Sequence, residues 1–300
     1  MSKTKAWLRA FRLRTLPLSF SSVILGSLMA AYRQSFDLSI LIGALSTTLF
    51  LQVLSNLAND YGDFVKGVDN KDRTGPERSV QSGAIEVGEM KLAIVIFSLL
   101  SFASGIWLLL NAADNLEFGA IAVFLVLGLL AIGAAIKYTV GKNPYGYQGL
   151  GDLAVFLFFG ITGVGGTYYL YTAELSWADL LPAVSIGALS TGVLNLNNMR
   201  DHENDRASGK RSLVVLLGLE SARRYHIALL VIALLASLAY TFLNFKSGFQ
   251  FIYLITIPLL FQNARVVITT TRVSDLDKEL KKLAISTLLF ALTFGVGLIY

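Results

Sequence analysis

The chain has 300 residues, 54% of them hydrophobic and only 15% charged, with a mean hydropathy of +0.62. Soluble domains carry about a quarter charged residues, so this composition suits a chain that turns apolar side chains to lipid on all sides. The absence of cysteine excludes disulfides, thiolate metal sites, iron–sulfur clusters and a cysteine nucleophile, and two histidines, His202 and His226, are too few for a histidine-rich metal centre.

Residues 1–15 are basic, with Lys3, Lys5, Arg9, Arg12 and Arg14. These charges are spread too widely for a cleaved signal peptide, and no small-residue cleavage site follows, so the segment reads as a cytoplasmic start leading into a retained helix. Nine apolar stretches then approach the length of about 20 residues that crosses a bilayer core as a helix. They fall at 16–33, 38–58, 90–111, 117–138, 150–171, 178–197, 224–243, 249–270 and 283–300. Unbroken apolar runs do not alternate as barrel strands do, so the expected fold is all-α. It is a single polytopic membrane domain over 1–300.

Charge gives the orientation. Of the 25 Lys and Arg residues, 23 fall on one set of alternating connections, and the other set holds only Arg33 and Lys246. The positive-inside rule then places the N-terminus in the cytoplasm and the C-terminus outside. It also accounts for the net charge of +5 without nucleic acid. Tyr32, Tyr171 and Trp177 are expected at the outer interface, where aromatic rings settle. Two inner connections, 59–89 and 198–223, are much longer than the outer ones, and function concentrates in such loops. Each follows an apolar helix ending in Asn-x-x-x-Asp, as Asn59 to Asp63 and Asn197 to Asp201, which hints at a four-helix internal repeat.

The first of these loops reads Asn56-Leu57-Ala58-Asn59-Asp60-Tyr61-Gly62-Asp63-Phe64-Val65-Lys66-Gly67-Val68-Asp69. If the helix continues inward, Asn56, Asn59, Asp60 and Asp63 share a face, Gly62 and Gly67 loosen the backbone, and Asp69 folds back. Carboxylate and amide oxygens without nitrogen or sulfur ligands suit Mg²⁺. Lys66 among them is placed to neutralise phosphate oxygens, and Arg73 and Arg78 follow. A solvated surface loop accounts for Asp72, Glu77 and Glu86. It accounts poorly for polar side chains at the end of an apolar helix.

The second loop reads Asn197-Asn198-Met199-Arg200-Asp201-His202-Glu203-Asn204-Asp205, then Gly209-Lys210-Arg211-Ser212-Leu213. Asp201 and Asp205 share a helix face and repel unless a cation lies between them. Asn197 and Asn198 add neutral oxygens, Gly209 ends the turn, and Lys210 and Arg211 are candidate phosphate ligands. Glu203, Arg206 and His202 read as solvated bystanders. An Asp-x-x-x-Asp pair alone is a weak pattern. Paired with the first loop on one membrane side, it suggests Mg²⁺ ions bridging a diphosphate.

These two segments, together with Asp72-Arg73-Thr74-Gly75-Pro76-Glu77-Arg78 and Pro144-Tyr145-Gly146-Tyr147-Gln148-Gly149-Leu150-Gly151-Asp152, resemble the UbiA superfamily of intramembrane aromatic prenyltransferases. The resemblance covers essentially the whole chain and is nearest to the menaquinone branch. Ser212 stands where threonine is expected and keeps the hydroxyl. The resemblance implies nine helices around a central cavity, in a multi-pass protein of the cell inner (plasma) membrane whose site faces the cytoplasm. It implies Mg²⁺ as cofactor, held by Asp60, Asp63, Asp69, Asp201 and Asp205, with Asp63, Asp201 and Lys66 as catalytic residues. The implied substrates are a polyprenyl diphosphate and 1,4-dihydroxy-2-naphthoate, with loss of CO₂ and diphosphate. Arg14, Asn59, Lys66, Asn198, Arg200, Lys210 and Arg211 are the expected diphosphate-side residues. Lys137, Tyr138, Lys142 and Tyr145 are expected around the acceptor. For Tyr138 and Tyr145 interfacial anchoring is an equal reading, and for Asp152 a helix N-terminal role competes. A soluble isoprenyl diphosphate synthase would need amphipathic helices. An ion transporter usually carries its site near the bilayer midplane, whereas these carboxylates lie at helix ends.

Overall fold

Each of the nine expected spans is a helical crossing in the computed structural model, which describes residues 2–68 and 78–300. The chain runs α1 (Lys3–Phe11), α2 (Leu16–Tyr32), α3 (Leu38–Val65), α4 (Val87–Ala112) and α5 (Phe118–Lys137). The fifth crossing joins α6 (Gly151–Val155), a π-helical stretch (Phe156–Gly166) and α7 (Thr167–Thr172). Then come α8 (Leu180–Ala207), short α9 (Leu213–Leu217) and α10 (Leu219–Leu243). A 3₁₀ stretch (Gly248–Thr256) leads into α11 (Ile257–Thr269), and α12 (Leu276–Ile299) closes the chain. No strand occurs among the described residues.

The expected spans differ from these helices mainly at the basic end, where α3 continues for about two further turns and α8 for nearly three. Both are 28 residues long, and the extra turns carry the Asn and Asp residues of the two motifs. What reads as loop at 59–65 and 198–207 is therefore helix. The basic start also holds a helix that apolar length alone does not reveal. In α1, Ala6, Trp7, Ala10 and Phe11 share one face and pack on Val53 and Leu57 of α3 and Met90 of α4. The Ser79 hydroxyl donates to the Ala6 carbonyl at 2.9 Å.

The middle of the bundle is α2, α8 and α12, which pack on one another. In lipid such contacts rest on close packing and on polar pairs between helices. A buried chain of this kind joins α10, α11 and α12: His226 Nε2 meets Asn263 Oδ1 at 2.9 Å, and Asn263 Nδ2 donates to Glu279 Oε2 at 3.1 Å. At the far end, Tyr240, Tyr253, Phe290 and Phe294 form an aromatic cluster. By contrast α5 has no buried residue, and Leu99, Leu110, Phe118 and Phe261 stand outward on the periphery. Such a girdle is stable only against lipid.

At the end opposite the motifs, Lys246 lies over the Tyr32 ring at 4.3 Å and Arg33 at 5.7 Å. Trp177 is exposed there, as an interfacial ring would be. Tyr171 is a correction. It is buried, its hydroxyl is 3.0 Å from Ser27 Oγ and its ring stacks on Phe36, so it packs the bundle instead of anchoring it.

Candidate functional site

The last turns of α3 and α8 end in the same way. Asp63 and Asp205 are each third from the end of their helix, and each backbone carbonyl accepts from the residue five places on, Val68 N at 2.9 Å and Lys210 N at 2.8 Å. Gly67 (φ +70°) and Gly209 (φ +74°) take the left-handed turn that makes this cap possible. The motif comparison paired Asp63 with Asp201, but the helix ends pair it with Asp205. Two helix C-termini, each carrying partial negative charge, therefore bring a carboxylate to one place. Asn204 joins the halves by donating from Nδ2 to the Val68 carbonyl at 2.9 Å.

Below these caps lies a cavity of about 440 Å³. Its head is lined by Asn59 and Asp63 from α3 and by Asn197, Asn198, Arg200, Asp201, Asn204 and Asp205 from α8, with Arg14 and Lys210 beside them. Asp63, Asp201, Asp205, Arg200 and Lys210 are all buried. Arg200 grips Asp201 with both oxygens engaged, Nε to Oδ1 at 2.8 Å and Nη2 to Oδ2 at 2.7 Å. It also reaches Asn197 at 2.9 Å and pairs with Asp277 of α12. Lys210 Nζ lies 3.3 Å from Asp205 Oδ1. Burial pulls the Lys210 pKa down, but Asp205, Asp63 and Asp201 outweigh it and leave it raised, so the ammonium stays charged.

Not every expected residue meets the cavity. Asp60 is not on the wall itself but pairs with two arginines that are, Arg12 and Arg78, the latter through Nη1 at 3.3 Å. Arg12 closes α1 in a left-handed conformation (φ 49°), which directs it to α3. Asp60 thus ties α1 to the loop after α3. Lys66 donates to the Lys142 carbonyl at 3.4 Å and is not on the cavity wall. Lys137, Lys142 and Arg211 are exposed and also off the wall. Tyr138 and Tyr145 do line it, edge to face at 5.3 Å. Burial pushes the Tyr145 hydroxyl up to about 12, and it donates to the Ala134 carbonyl at 3.0 Å. Asp152 lies in a second, smaller pocket with Thr191 and Tyr225. Asp69 and Arg73 lie outside the described residues.

Gly62 does not loosen α3 as its sequence position suggests. It is helical, and a Cβ there would come within 2.5 Å of Thr139 Oγ1 and 2.8 Å of the Thr139 carbonyl carbon. This close approach brings the loop after α5 onto the head of the cavity. Thr139 Oγ1 in turn donates to the Ala58 carbonyl at 2.9 Å. The loop carries Tyr147, which motif reading did not single out. Its hydroxyl donates to Asp63 Oδ1 at 2.6 Å, and Lys66 and Lys210 flank its ring at 5.5 and 5.6 Å.

The body of the cavity has two parts. Along α3 the wall runs from Ala44 to Asp63, a rise of about 28 Å at 1.5 Å per residue. That is nearly the thickness of a bilayer core, about 30 Å. One side is apolar, with Phe124, Gly128 and Ile132 of α5 facing Phe158 and Phe159 of the π-helical stretch. The lining also carries a belt of hydroxyls and an amide inside the membrane. Ser19 Oγ donates to Gln52 Oε1 at 2.7 Å. Buried Ser22, packed on Gly163 of the π-helical stretch, and buried Ser190 also line the cavity, and their Oγ atoms have no hydrogen-bond partner among the described residues. An alkyl chain has no use for unpaired buried hydroxyls, so this belt fits a polar ligand.

The head fits a hard cation. Its donors are carboxylate and amide oxygens, the type Mg²⁺ takes. Asp205 Oδ2 is buried and lacks a hydrogen-bond partner among the described residues, a costly state unless a cation meets it. No group of three or more acidic, His or Cys side chains converges closely enough to hold a metal alone among the described residues. Chemically, the head can hold a polyanion with its counter-cations directly above a channel with a long apolar wall.

The chain matches the UbiA prenyltransferase family over residues 19–296. It is 42% identical over 299 residues to the 1,4-dihydroxy-2-naphthoate octaprenyltransferase of Haemophilus influenzae, covering 99% of this chain and 96% of that one. It is 43% identical over 298 residues to the enzyme of the same name from Escherichia coli, again covering 99% and 96%. A UbiA homologue from Archaeoglobus fulgidus, solved bound to DMAPP and Mg²⁺, shares the fold with a TM-score of 0.62 at 19% identity, covering 98% of this chain and 99% of that one.

Proposed function

The chain belongs to the UbiA prenyltransferase family, and from that membership we propose that it transfers a polyprenyl group from its diphosphate to 1,4-dihydroxy-2-naphthoate. CO₂ and diphosphate leave, and the product is a demethylmenaquinol for menaquinone synthesis. The observation that carries this reading is the placement of Asp63 and Asp205 at matched helix ends, above a cavity that runs nearly the depth of a bilayer.

The diphosphate sits at the head, where Lys210 and Arg14 meet its oxygens and Asn59, Asn198 and Asn204 border it. Asp63 and Asp205 would hold Mg²⁺, with Asp201 beside them oriented by Arg200. Bound there, Mg²⁺ supplies charge neutralisation of the departing diphosphate. The polyprenyl tail follows the apolar side between α5 and the π-helical stretch, with lipid beyond α5. The carbon–oxygen bond to diphosphate breaks with its electron pair leaving on oxygen. The fixed charges at the head stabilise that departure. The electron-rich naphthoate ring gives the pair for the new carbon–carbon bond, and the ring's carboxylate leaves as CO₂. Ser22, Ser190 and the Ser19–Gln52 pair offer hydrogen bonds to the ring hydroxyls. Asp60, paired with Arg12 and Arg78, serves as a buttress outside the reacting groups. The charge asymmetry of the sequence supports a cell inner membrane location with this head on the cytoplasmic side.

The reading is tested with carboxyl-labelled naphthoate and the purified chain in lipid. One labelled CO₂ released per diphosphate formed is the expected result. Diphosphate release without CO₂ would indicate another acceptor chemistry.

A further inference from the structure

Three segments far apart in sequence meet at Tyr147. Its hydroxyl donates to Asp63 Oδ1 at 2.6 Å at the end of α3. Its carbonyl accepts from Arg211 N at 3.1 Å in the segment after α8. Its ring lies between Lys66 Nζ at 5.5 Å, from the first segment, and Lys210 Nζ at 5.6 Å, from the second. Tyr147 itself sits on a 3₁₀ turn (Tyr145–Tyr147) whose chain returns to Tyr138 through Gly146 N and the Tyr138 carbonyl at 3.1 Å.

Each contact has a consequence for the head of the cavity. An ionised carboxylate has two oxygens, and the Tyr147 hydroxyl occupies one of them, Oδ1. The carboxylate cannot then rotate freely about its last bond, which fixes the directions in which Oδ2 and the remaining lone pair of Oδ1 face a cation. Hydrogen bonds from outside the ligand set that orient a metal-binding carboxylate typically change metal affinity 10–100-fold. The ring does separate work. An ammonium near an aromatic face is attracted by the ring's negative face, so the ring holds Lys210, on the cavity wall, and Lys66, off it, close to one residue and ties their two segments together. Asp63 and Lys66 belong to the first motif and Lys210 to the second, and Tyr147 contacts all three.

We infer that Tyr147 is the positioning residue that sets the Asp63 carboxylate for the metal-bound diphosphate and brings the two lysine-bearing loops together over it. The inference rests on the reading of the head as a Mg²⁺–diphosphate site.

The test uses the full chain, purified in lipid nanodiscs, with inorganic diphosphate as the probe and calorimetric binding measured across a Mg²⁺ titration. Tyr147→Phe keeps the ring and loses the hydroxyl. It is expected to raise the Mg²⁺ concentration for half-maximal diphosphate binding about tenfold or more, while binding at saturating Mg²⁺ stays near wild type. Tyr147→Leu also removes the ring and is expected to weaken diphosphate binding even at saturating Mg²⁺. In an Asp63→Asn background, Tyr147→Phe is expected to cause no further rise, because the partner is already gone. A wild-type Mg²⁺ dependence in Tyr147→Phe would overturn the inference alone, as would an equal rise with and without the Asp63 carboxylate. Failure of the wild-type chain to bind diphosphate at any Mg²⁺ concentration would overturn both the inference and the reading beneath it. Thermal unfolding of each variant identifies a folding defect, and the double-variant comparison is made on the folded pair.

Discussion

Asp63 and Asp205 hold the same position in two helices of equal length, third from the end of α3 and of α8. Each backbone carbonyl is capped by a following N–H, and each side chain reaches the head of one cavity. The caps depend on Gly67 and Gly209 with positive φ. An L-residue in that conformation costs about 1–2 kcal/mol. Gly209→Ala and Gly67→Ala are each expected to lower stability by about that much, measured as denaturant unfolding in detergent micelles. Unchanged stability in both would mean that the left-handed caps are dispensable.

Asp205 contributes to the head a buried carboxylate oxygen, Oδ2, with no hydrogen-bond partner among the described residues. Asp205→Asn replaces a carboxylate by an amide of the same shape, and it removes the repulsion that Asp205 shares with Asp63 and Asp201. Because the change also takes the carboxylate from buried Lys210, 3.3 Å away, the variant is expected to be less stable than wild type, and the folded protein is expected to lose about 100-fold or more in turnover at low Mg²⁺, in line with the loss of a group that holds a catalytic charge. Steady-state rates across a Mg²⁺ series check this. A Mg²⁺ dependence equal to wild type would remove Asp205 from the cation site.

Arg200 is committed to structure as much as to chemistry, since it joins Asp201 of α8 to Asp277 of α12. Removing one partner of a buried ion pair costs about 3–5 kcal/mol because the other charge stays buried. Arg200→Ala is expected to show a loss of that order in unfolding measurements. Asp277→Ala, at a position 37% exposed, is expected to cost far less. Equal effects from the two would mean that the pair is screened by solvent and carries little stability.

The hydroxyl belt makes a separate prediction about the acceptor. One hydrogen bond contributes about 0.5–1.5 kcal/mol, so Ser22→Ala and Ser190→Ala are each expected to raise KM for the naphthoate by roughly two- to tenfold. KM for the polyprenyl diphosphate should stay unchanged. Kinetics with each substrate varied in turn decide the point. A rise for the diphosphate alone would reassign the belt to the tail.

The nine crossings and the two motifs are legible in the sequence because both rest on local rules. Apolar length reports a span, and polar residues at the end of an apolar run report a site. Tyr147, Arg12 and the pairing of Asp63 with Asp205 are not legible in this way. Tyr147 lies 84 positions from Asp63, and only the close approach of Gly62 to Thr139 brings the two together. Spacing suggested Asn59 to Asp63 against Asn197 to Asp201, whereas the match that the fold uses is set by where each helix stops. Asp60 looks like a ligand by spacing alone. Its difference from Asp63 in the fold is that it pairs with Arg12, from a helix the apolar pattern conceals, and stands behind the cavity wall. Tyr171 was expected at the interface from its position near a span end, and Ser27 and Phe36 hold it inside.

The most direct test of prenyl transfer at this head is an assay in membranes containing the chain, with 1,4-dihydroxy-2-naphthoate, a long-chain polyprenyl diphosphate and Mg²⁺. A prenylated naphthoquinol that forms with Mg²⁺, disappears with EDTA and fails to form in Asp63→Asn is the expected result. Product formation that persists in EDTA or in folded Asp63→Asn, or no product from a folded and inserted wild-type chain, would contradict it.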